Sequence, residues 1–358
     1  MATGQSTTRE GAVFEAIASA DHLCVLARPW PDELAAAAVL AGAAEGSVHV
    51  RVVDGHRGPP ETPAGTTLAT DPGVDAADAA LEGADPLAAA LSVADALDAT
   101  VPPSIDALAT AAEAAPGVVA VEDDLGASVA TSLRYHGPVS GRDPATVAER
   151  LDRATLPTTL EGVRADPTGA RRLVGWLATA TLEGEARPAS ATAALERAVA
   201  PTYLDGHRVP TLEGLNDVLA VLAWADPGLG LGVLLGGDDW STALARYRDV
   251  APRVHAAVAG LPTDGAGDLV VGTVEDVPPA PTAWLWSAYR LHRPYGLVVA
   301  DEAPTRVALA STGARSASAL LEGLVAEVGG GFWGDRRVAG AHLPVPADGV
   351  ARRLEGAL

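Results

Sequence analysis

Lysine is absent from this chain, so all 25 basic residues are arginine. Cysteine is nearly absent as well. Cys24 alone excludes an internal disulfide framework and any site built from several thiolates. No apolar run reaches the roughly 18 uninterrupted residues expected of a membrane-crossing helix. The N-terminus, MATGQSTTREGAVFEAIASA, lacks a basic stretch followed by an apolar one, so no secretory signal is expected. Together these absences predict a cytoplasmic protein with no membrane partner.

What the chain has in excess is acid. Its 46 Asp and Glu residues against 25 arginines give a net charge of −21. Hydrophobic residues make up 48% of its 358 positions, which excludes wholesale disorder and suffices for two domains with a sizeable core. Arginine without lysine, beside abundant Ala, Gly, Asp and Glu, points to a high-salt cytoplasm and a GC-rich genome. Surface carboxylate keeps such a protein hydrated. In molar salt the Debye length falls to about 3 Å, so the net acidity says little about the ligand.

The order of elements predicts an α/β fold. HLCVLA (22–27) reads as a strand, followed by a Pro-rich turn from Arg28 to Pro31 and an Ala-rich helix with Asp32 as its N-cap. SVHVRVV (47–53) and TTLAT (66–70) read as further strands, the second ending at Asp71. Strand–helix alternation of this kind builds a largely parallel sheet. The segment 143–262 is mostly helical by its apolar spacing, with GLGLGVLLG (228–236) expected as a strand. PTDGAG (262–267) is the best linker, giving domains 1–262 and 263–358. The second domain returns to α/β, with strands at 268–274, 296–301 and 305–312. Trp284 and Trp286, two apart, are expected on one face of a strand.

From Trp284 to Arg353 there are eight Arg against six Asp and Glu, a local +2, which leaves −23 for the rest of the chain. That window contains Arg315-Ser316 after a strand, then Gly329-Gly330-Gly331-Phe332-Trp333 and Arg336-Arg337. Consecutive glycines let backbone N–H groups approach an anion. Arg315, Arg336 and Arg337 can make forked phosphate contacts, and Trp333 offers a face for a base. The alternative is a glycine helix cap and tight turn with solvated arginines.

In this order the features resemble the DHH/RecJ phosphoesterase family, in its archaeal RecJ-like branch related to the GINS-associated nuclease and Cdc45. The stretch from Arg315-Ser316 through the triple glycine to Ala339-Gly340-Ala341 resembles the accessory DHHA1 domain. Phe332 stands where that family has His. The resemblance implies a parallel-sheet DHH-like domain with a helical extension and a smaller DHHA1-like domain. It also implies a nucleic-acid surface made of Arg315, Ser316, Gly329, Gly330, Gly331, Trp333, Arg336 and Arg337.

The family's N-terminal His-x-Asp-x-Asp-Gly motif, which holds two Mn²⁺ ions, is matched poorly by Arg28-Pro29-Trp30-Pro31-Asp32-Glu33. Only Asp32 survives, with Asp71 as the counterpart of a second aspartate, and the Asp-His-His triplet is missing. Two carboxylates beside Arg28 are too few for a bimetallic centre. The expectation is therefore a pseudoenzyme without a cofactor that binds single-stranded DNA or RNA in DNA replication or repair. GINS-like proteins or a RecJ-like paralogue are its expected partners. The alternatives are an active Mn- or Mg-dependent exonuclease, with Asp32 and Asp71 as residual catalytic ligands, or a small phosphoesterase acting on short RNA.

Overall fold

The computed structural model describes residues 6–53, 65–70, 77–81, 85–101, 105, 120–182, 190–199, 201–265, 267–300 and 305–358. The chain divides into two compact units, residues 1–110 with 222–243, and residues 111–221 with 244–358. The expected boundary at 262/263 falls inside the second unit.

The first unit is a parallel sheet with helices. Its described elements are α1 (Ser6–Ser19), β1 (His22–Ala27), α2 (Pro31–Ala43), β2 (Ser47–Val52), β3 (Thr66–Ala69), β4 (Ala79–Ala80) and α3 (Pro86–Ala96). The strand order is β2-β1-β3-β4 and every pairing is parallel. Leu23 to Ala27 are all buried, as a continuous apolar run in an inner parallel strand should be. α2 packs on β1 and α3.

α10 (Pro227–Leu234) packs on α2, Gly230 lying against Leu34. The glycine-rich run predicts a strand here, and the structure has a helix. Its start signal explains the difference. Pro227 occupies the first helical turn, and the Asp226 carboxylate accepts the Leu229 N–H at 3.0 Å, which outweighs the poor helix propensity of three glycines.

The second unit has two separate apolar cores. The first is helical and includes Leu125 of α4 (Leu125–Thr131), Leu151 of α5 (Pro144–Arg153), Leu160 of α6 (Leu160–Ala165) and Leu173 of α7 (Pro167–Leu182). Leu195 of α8 (Ser190–Ala198) joins it. α9 (Leu212–Ala225) and α11 (Trp240–Gly260) follow in the chain.

The second core fills a five-stranded sheet in the order β5-β6-β7-β9-β8. Its strands are β5 (Leu269–Val274), β6 (Tyr295–Ala300), β7 (Thr305–Ser311), β8 (Gly331–Gly334) and β9 (Val338–Leu343). β5 and β6 pair in parallel, and the other pairs are antiparallel. α12 (Pro279–Tyr289), α13 (Ala317–Val328) and α14 (Ala347–Ala357) complete this part.

Trp284 and Trp286 lie on α12, not on a strand. Prolines in the first turn preset the helical φ, and a two-residue spacing alone does not distinguish the periods. Trp286 is fully buried and donates its Nε1–H to the Pro262 carbonyl at 2.8 Å, whereas Trp284 is half-buried. Among the described residues no helix is long and apolar enough to cross a membrane.

Candidate functional site

The end of β1 carries the run Arg28 to Glu33. Helix α2 begins two residues earlier than expected, with Trp30 as N-cap in extended backbone and Pro31 just inside. Asp32 is therefore not the cap, because the proline fixes the start ahead of it. It is exposed in the first turn, where a carboxylate complements the helix dipole.

Glu33 has the more consequential place. Its side chain is buried, and Oε2 accepts both the backbone N–H of Arg28 at 3.0 Å and the Thr70 hydroxyl at 2.7 Å. Thr70 closes β3, and its backbone N–H donates to the Leu26 carbonyl at 2.9 Å. One carboxylate thus ties together the ends of two adjacent parallel strands. Arg28 and Thr70 are buried beside it. Charged acceptors make the stronger hydrogen bonds, and a buried carboxylate needs such partners.

This arrangement does not suit two divalent cations. Among the described residues no three His, Cys, Asp or Glu side chains gather as a ligand set. Glu33 is already committed to two protein donors, and the Cys24 thiol is buried, which pushes its pKa up and away from a thiolate. Asp71 lies outside the described residues. The described residues therefore do not fit a bimetallic centre.

The C-terminal candidates fall into two groups. Arg315 and Ser316 sit between β7 and α13, and Arg336 and Arg337 sit in the turn between β8 and β9. Backbone hydrogen bonds join these loops. Ala317 N–H donates to the Arg336 carbonyl at 2.9 Å, Ser318 N–H to the Asp335 carbonyl at 3.2 Å, and Ser311 N–H to the Arg337 carbonyl at 2.8 Å. Ser316 is the N-cap of α13, its hydroxyl accepting the Ala319 N–H at 3.4 Å. The first three donors of α13 are thus spent inside the protein, leaving no free helix N-terminus for an anion. What projects outward is side chain. Arg315, Arg336 and Arg337 are exposed, the first two each lending one donor to a carbonyl, of Ala357 and Ala314 respectively.

Gly329, Gly330 and Gly331 stand at the other end of α13, about 18 Å away for a helix of 12 residues. The structure does not bring them to the arginines. Gly329 is the C-cap of α13 at φ 80° and ψ 178°, a conformation essentially reserved for glycine, and its N–H donates to the Val325 carbonyl at 2.8 Å. At Gly330, φ is +108° and a Cβ would lie 2.1 Å from the His342 carbonyl oxygen. Gly331 opens β8 opposite His342. The cap-and-turn reading accounts for Gly329 and Gly330. Trp333, half-buried on β8, lies across Gly340 on β9, where a Cβ would come within 2.6 Å of the indole nitrogen.

Sequence reasoning missed a buried polar shell around residues 131–136 in the second unit. Tyr247 donates its hydroxyl to the Thr131 carbonyl and Tyr289 to the Arg134 carbonyl, both at 2.7 Å. Asp217 accepts the Leu133 N–H at 3.0 Å and pairs with the Arg134 guanidinium at 2.7 Å. His136 and His255 stack with their Nδ1 atoms 3.1 Å apart, and burial lowers the His255 pKa to about 4. Every partner is at least 83 positions distant, so no local spacing signals the shell.

No family model matches the chain. An uncharacterized protein of Haloarcula marismortui is 33% identical over 153 residues, which is 42% of this chain and 40% of that protein. Among solved structures, RecJ of Thermus thermophilus in complex with Mg²⁺ is similar at 14% identity and a TM-score of 0.43. That match covers all of this chain and 52% of the other, so the chain spans about half the length of that structure. Cdc45 of Entamoeba histolytica is similar at 8% identity and a TM-score of 0.46, over 98% of both chains.

Proposed function

We propose that this chain is a RecJ-like protein that binds single-stranded nucleic acid in DNA replication or repair, with a phosphoesterase centre that no longer assembles. The observation that carries the second half is Glu33. It stands at the glycine position of the family's metal-binding run, and its carboxylate fills the end of β1 by holding Arg28 and Thr70. A hydrolytic two-metal site needs open carboxylates facing a shared space. The described part of this strand end offers a closed one.

The first half rests on the C-terminal arginines. Residues 263–358 form the proposed DHHA1-like domain, supported by an apolar core that runs from Leu269 to Leu354 and is separate from the helical core. Within it Arg315, Arg336 and Arg337 present guanidinium groups from two hydrogen-bonded loops, with Trp333 on the neighbouring strand. Ser316 caps the helix beside these loops, and Gly329, Gly330 and Gly331 lie at its far end. GINS-like proteins or an active paralogue are the proposed partners, in a salt-rich cytoplasm. There contact-range hydrogen bonds and stacking would outlast long-range attraction.

The test is a titration of labelled single-stranded DNA in molar KCl, with and without Mn²⁺, following binding and cleavage in the same samples. Binding without cleavage is expected. Mn²⁺-dependent release of nucleotides, abolished by Asp32→Ala or Asp71→Ala, would replace this reading with an active exonuclease.

A further inference from the structure

The two described sheets end in four edge strands, β2 and β4 in the first unit and β5 and β8 in the second. An open edge presents unpaired backbone groups, and proteins guard such edges with charge, brevity, proline or bulges. Three of the four are guarded. β2 carries His49 and Arg51, β4 has two residues, and β8 has four with glycine at both ends. β5 is different. Leu269–Val274 contains no charged residue and no proline, and it pairs with β6 at six consecutive positions without a bulge.

The register fixes which groups face outward. The Tyr295 N–H donates to the Asp268 carbonyl at 3.2 Å, and Leu269 is the partner of Tyr295 in the ladder. Backbone groups alternate sides along a parallel strand, so Val270 and Gly272 turn theirs to β6 while Val271 and Thr273 turn theirs away. Among the described residues the outward N–H and C=O groups of Val271 and Thr273 find no partner. Both residues are exposed, Val271 at 37% although it is apolar. Four unpaired backbone groups therefore stand on an accessible stretch of this edge.

The flanks of the strand carry one sign of charge. Asp268 precedes it, and Glu275 and Asp276 follow it, all three exposed. None of these carboxylates makes an ion pair or accepts a hydrogen bond among the described residues. Arg253, which donates to the Asp276 backbone carbonyl at 3.0 Å, is already paired with Asp249. Seven strand steps separate Asp268 from Glu275, about 23 Å.

We propose that β5 is a docking edge for an extended segment of a partner protein, which adds as an antiparallel sixth strand of about eight residues with a basic side chain at each end. Partner residues opposite Val271 and Thr273 would each exchange a pair of N–H···O bonds with them, and β-branched side chains there would cover Val271. A second copy of this chain fits poorly. In the register that pairs Val271 with Thr273 of the copy, Asp268 faces Asp276, and like charges directly opposite are destabilising. The site stands apart from the nucleic-acid reading. It uses none of the arginines invoked there, and β8, which leads to Arg336 and Arg337, is the opposite edge of the sheet.

The test uses a labelled, end-capped peptide with alternating threonine and valine between two terminal arginines, titrated with wild type in molar KCl and followed by fluorescence anisotropy. Binding should saturate. Val271→Pro should weaken it at least tenfold while melting close to wild type, because the lost N–H faces away from β6 and proline is tolerated on an edge. Asp268→Asn with Glu275→Gln should weaken it about two- to fivefold, as should a peptide ending in glutamates. The same peptide N-methylated throughout should not bind, a control that does not depend on any variant folding.

No saturation by wild type up to about 1 mM peptide, the weakest affinity of interest, would overturn the inference. Equal binding of the N-methylated peptide would do the same. A wild-type dimer in sedimentation that Val271→Pro dissolves would hand the edge to a second copy and equally overturn it. Val271→Pro should leave the affinity for a labelled single-stranded oligonucleotide unchanged. A wild type that binds the peptide but no oligonucleotide would sink the nucleic-acid reading and keep this one.

Discussion

The end of β1 and the loops around α13 both stand where chemistry is expected, and both have spent their backbone donors internally. At β1 the Arg28 N–H goes to the Glu33 carboxylate. At α13 the donors of Ala317, Ser318 and Ala319 go to two carbonyls and a serine hydroxyl. The difference lies in the side chains that remain. One region keeps a buried carboxylate engaged with its own protein, and the other keeps exposed guanidinium groups with donors to spare. An arginine has five N–H donors, and Arg336 is seen using one on a protein acceptor. The first region is thus built for stability, and the second is available for binding.

The largest expected effect breaks the first region. Glu33→Ala leaves the buried Arg28 N–H without its acceptor and the Thr70 hydroxyl with only the longer bond to the Leu26 carbonyl, at 3.2 Å. An unsatisfied buried donor costs on the order of 1–3 kcal/mol and the weakened Thr70 contact adds to it, so a loss of about 3 kcal/mol is expected in chemical denaturation. Glu33→Gln keeps an oxygen acceptor and should lose less than half as much. If Glu33→Ala were neutral and the variant hydrolysed DNA with Mn²⁺, the carboxylate would be a blocker of a latent site and not a brace.

The helical core of the second unit supplies a scale that does not depend on either region. Burial holds the His255 pKa at about 4 against an ordinary 6.5, so the folded state requires the neutral ring while the unfolded chain accepts a proton more readily. The stabilisation is complete above about pH 6.5 and is lost as pH falls towards 4, amounting to roughly 3 kcal/mol over that span. His136, with Nδ1 3.1 Å away, can share one proton with His255 but cannot sit beside a second charge cheaply. Melting curves between about pH 7 and 4 should show this loss in wild type, and a shallower one in His255→Gln.

Much of the fold is legible in the sequence because its signals are local. β1 is a continuous apolar run, and α7 repeats its apolar residues at helical spacing. α10 reads as a strand because three glycines obscure an Asp-Pro start. β8 is invisible, since Gly331-Phe332-Trp333-Gly334 is too short to show alternation and is glycine at both ends. α14 escapes sequence reading as well. The candidate sites are harder still. Glu33 shows only as a departure from a motif, because its partner Thr70 lies 37 positions away. The glycine triplet draws a ligand-binding expectation from composition, whereas the need for glycine at Gly330 comes from the His342 carbonyl on the neighbouring strand, which no spacing reveals.

Gly330→Ala sharpens that last point. The substitution would set a Cβ 2.1 Å from the His342 oxygen at a φ of +108°, so the β8–β9 pairing must shift. A loss of about 2 kcal/mol is expected, within the range for strained backbone. Nucleic-acid affinity, measured well below the melting temperature, should change little because the arginines sit at the far end of α13. An affinity loss as large as that of an arginine variant would reunite the two groups that the fold separates.

The smallest effect on stability belongs to the arginines themselves. Arg315→Gln and Arg336→Gln each remove an exposed charge whose protein hydrogen bonds are single and solvent-accessible, so each should change stability by no more than about 0.5 kcal/mol. Binding should respond in the opposite proportion. Each lost phosphate contact should weaken a labelled single strand several-fold and lower the steepness of its salt dependence by about one counterion's worth. The two measurements must therefore move apart: a stable protein with weakened binding here, against a destabilised protein with unchanged binding for Glu33→Ala at low denaturant. If both regions moved stability and binding together, the division between a braced strand end and an available arginine surface would be wrong.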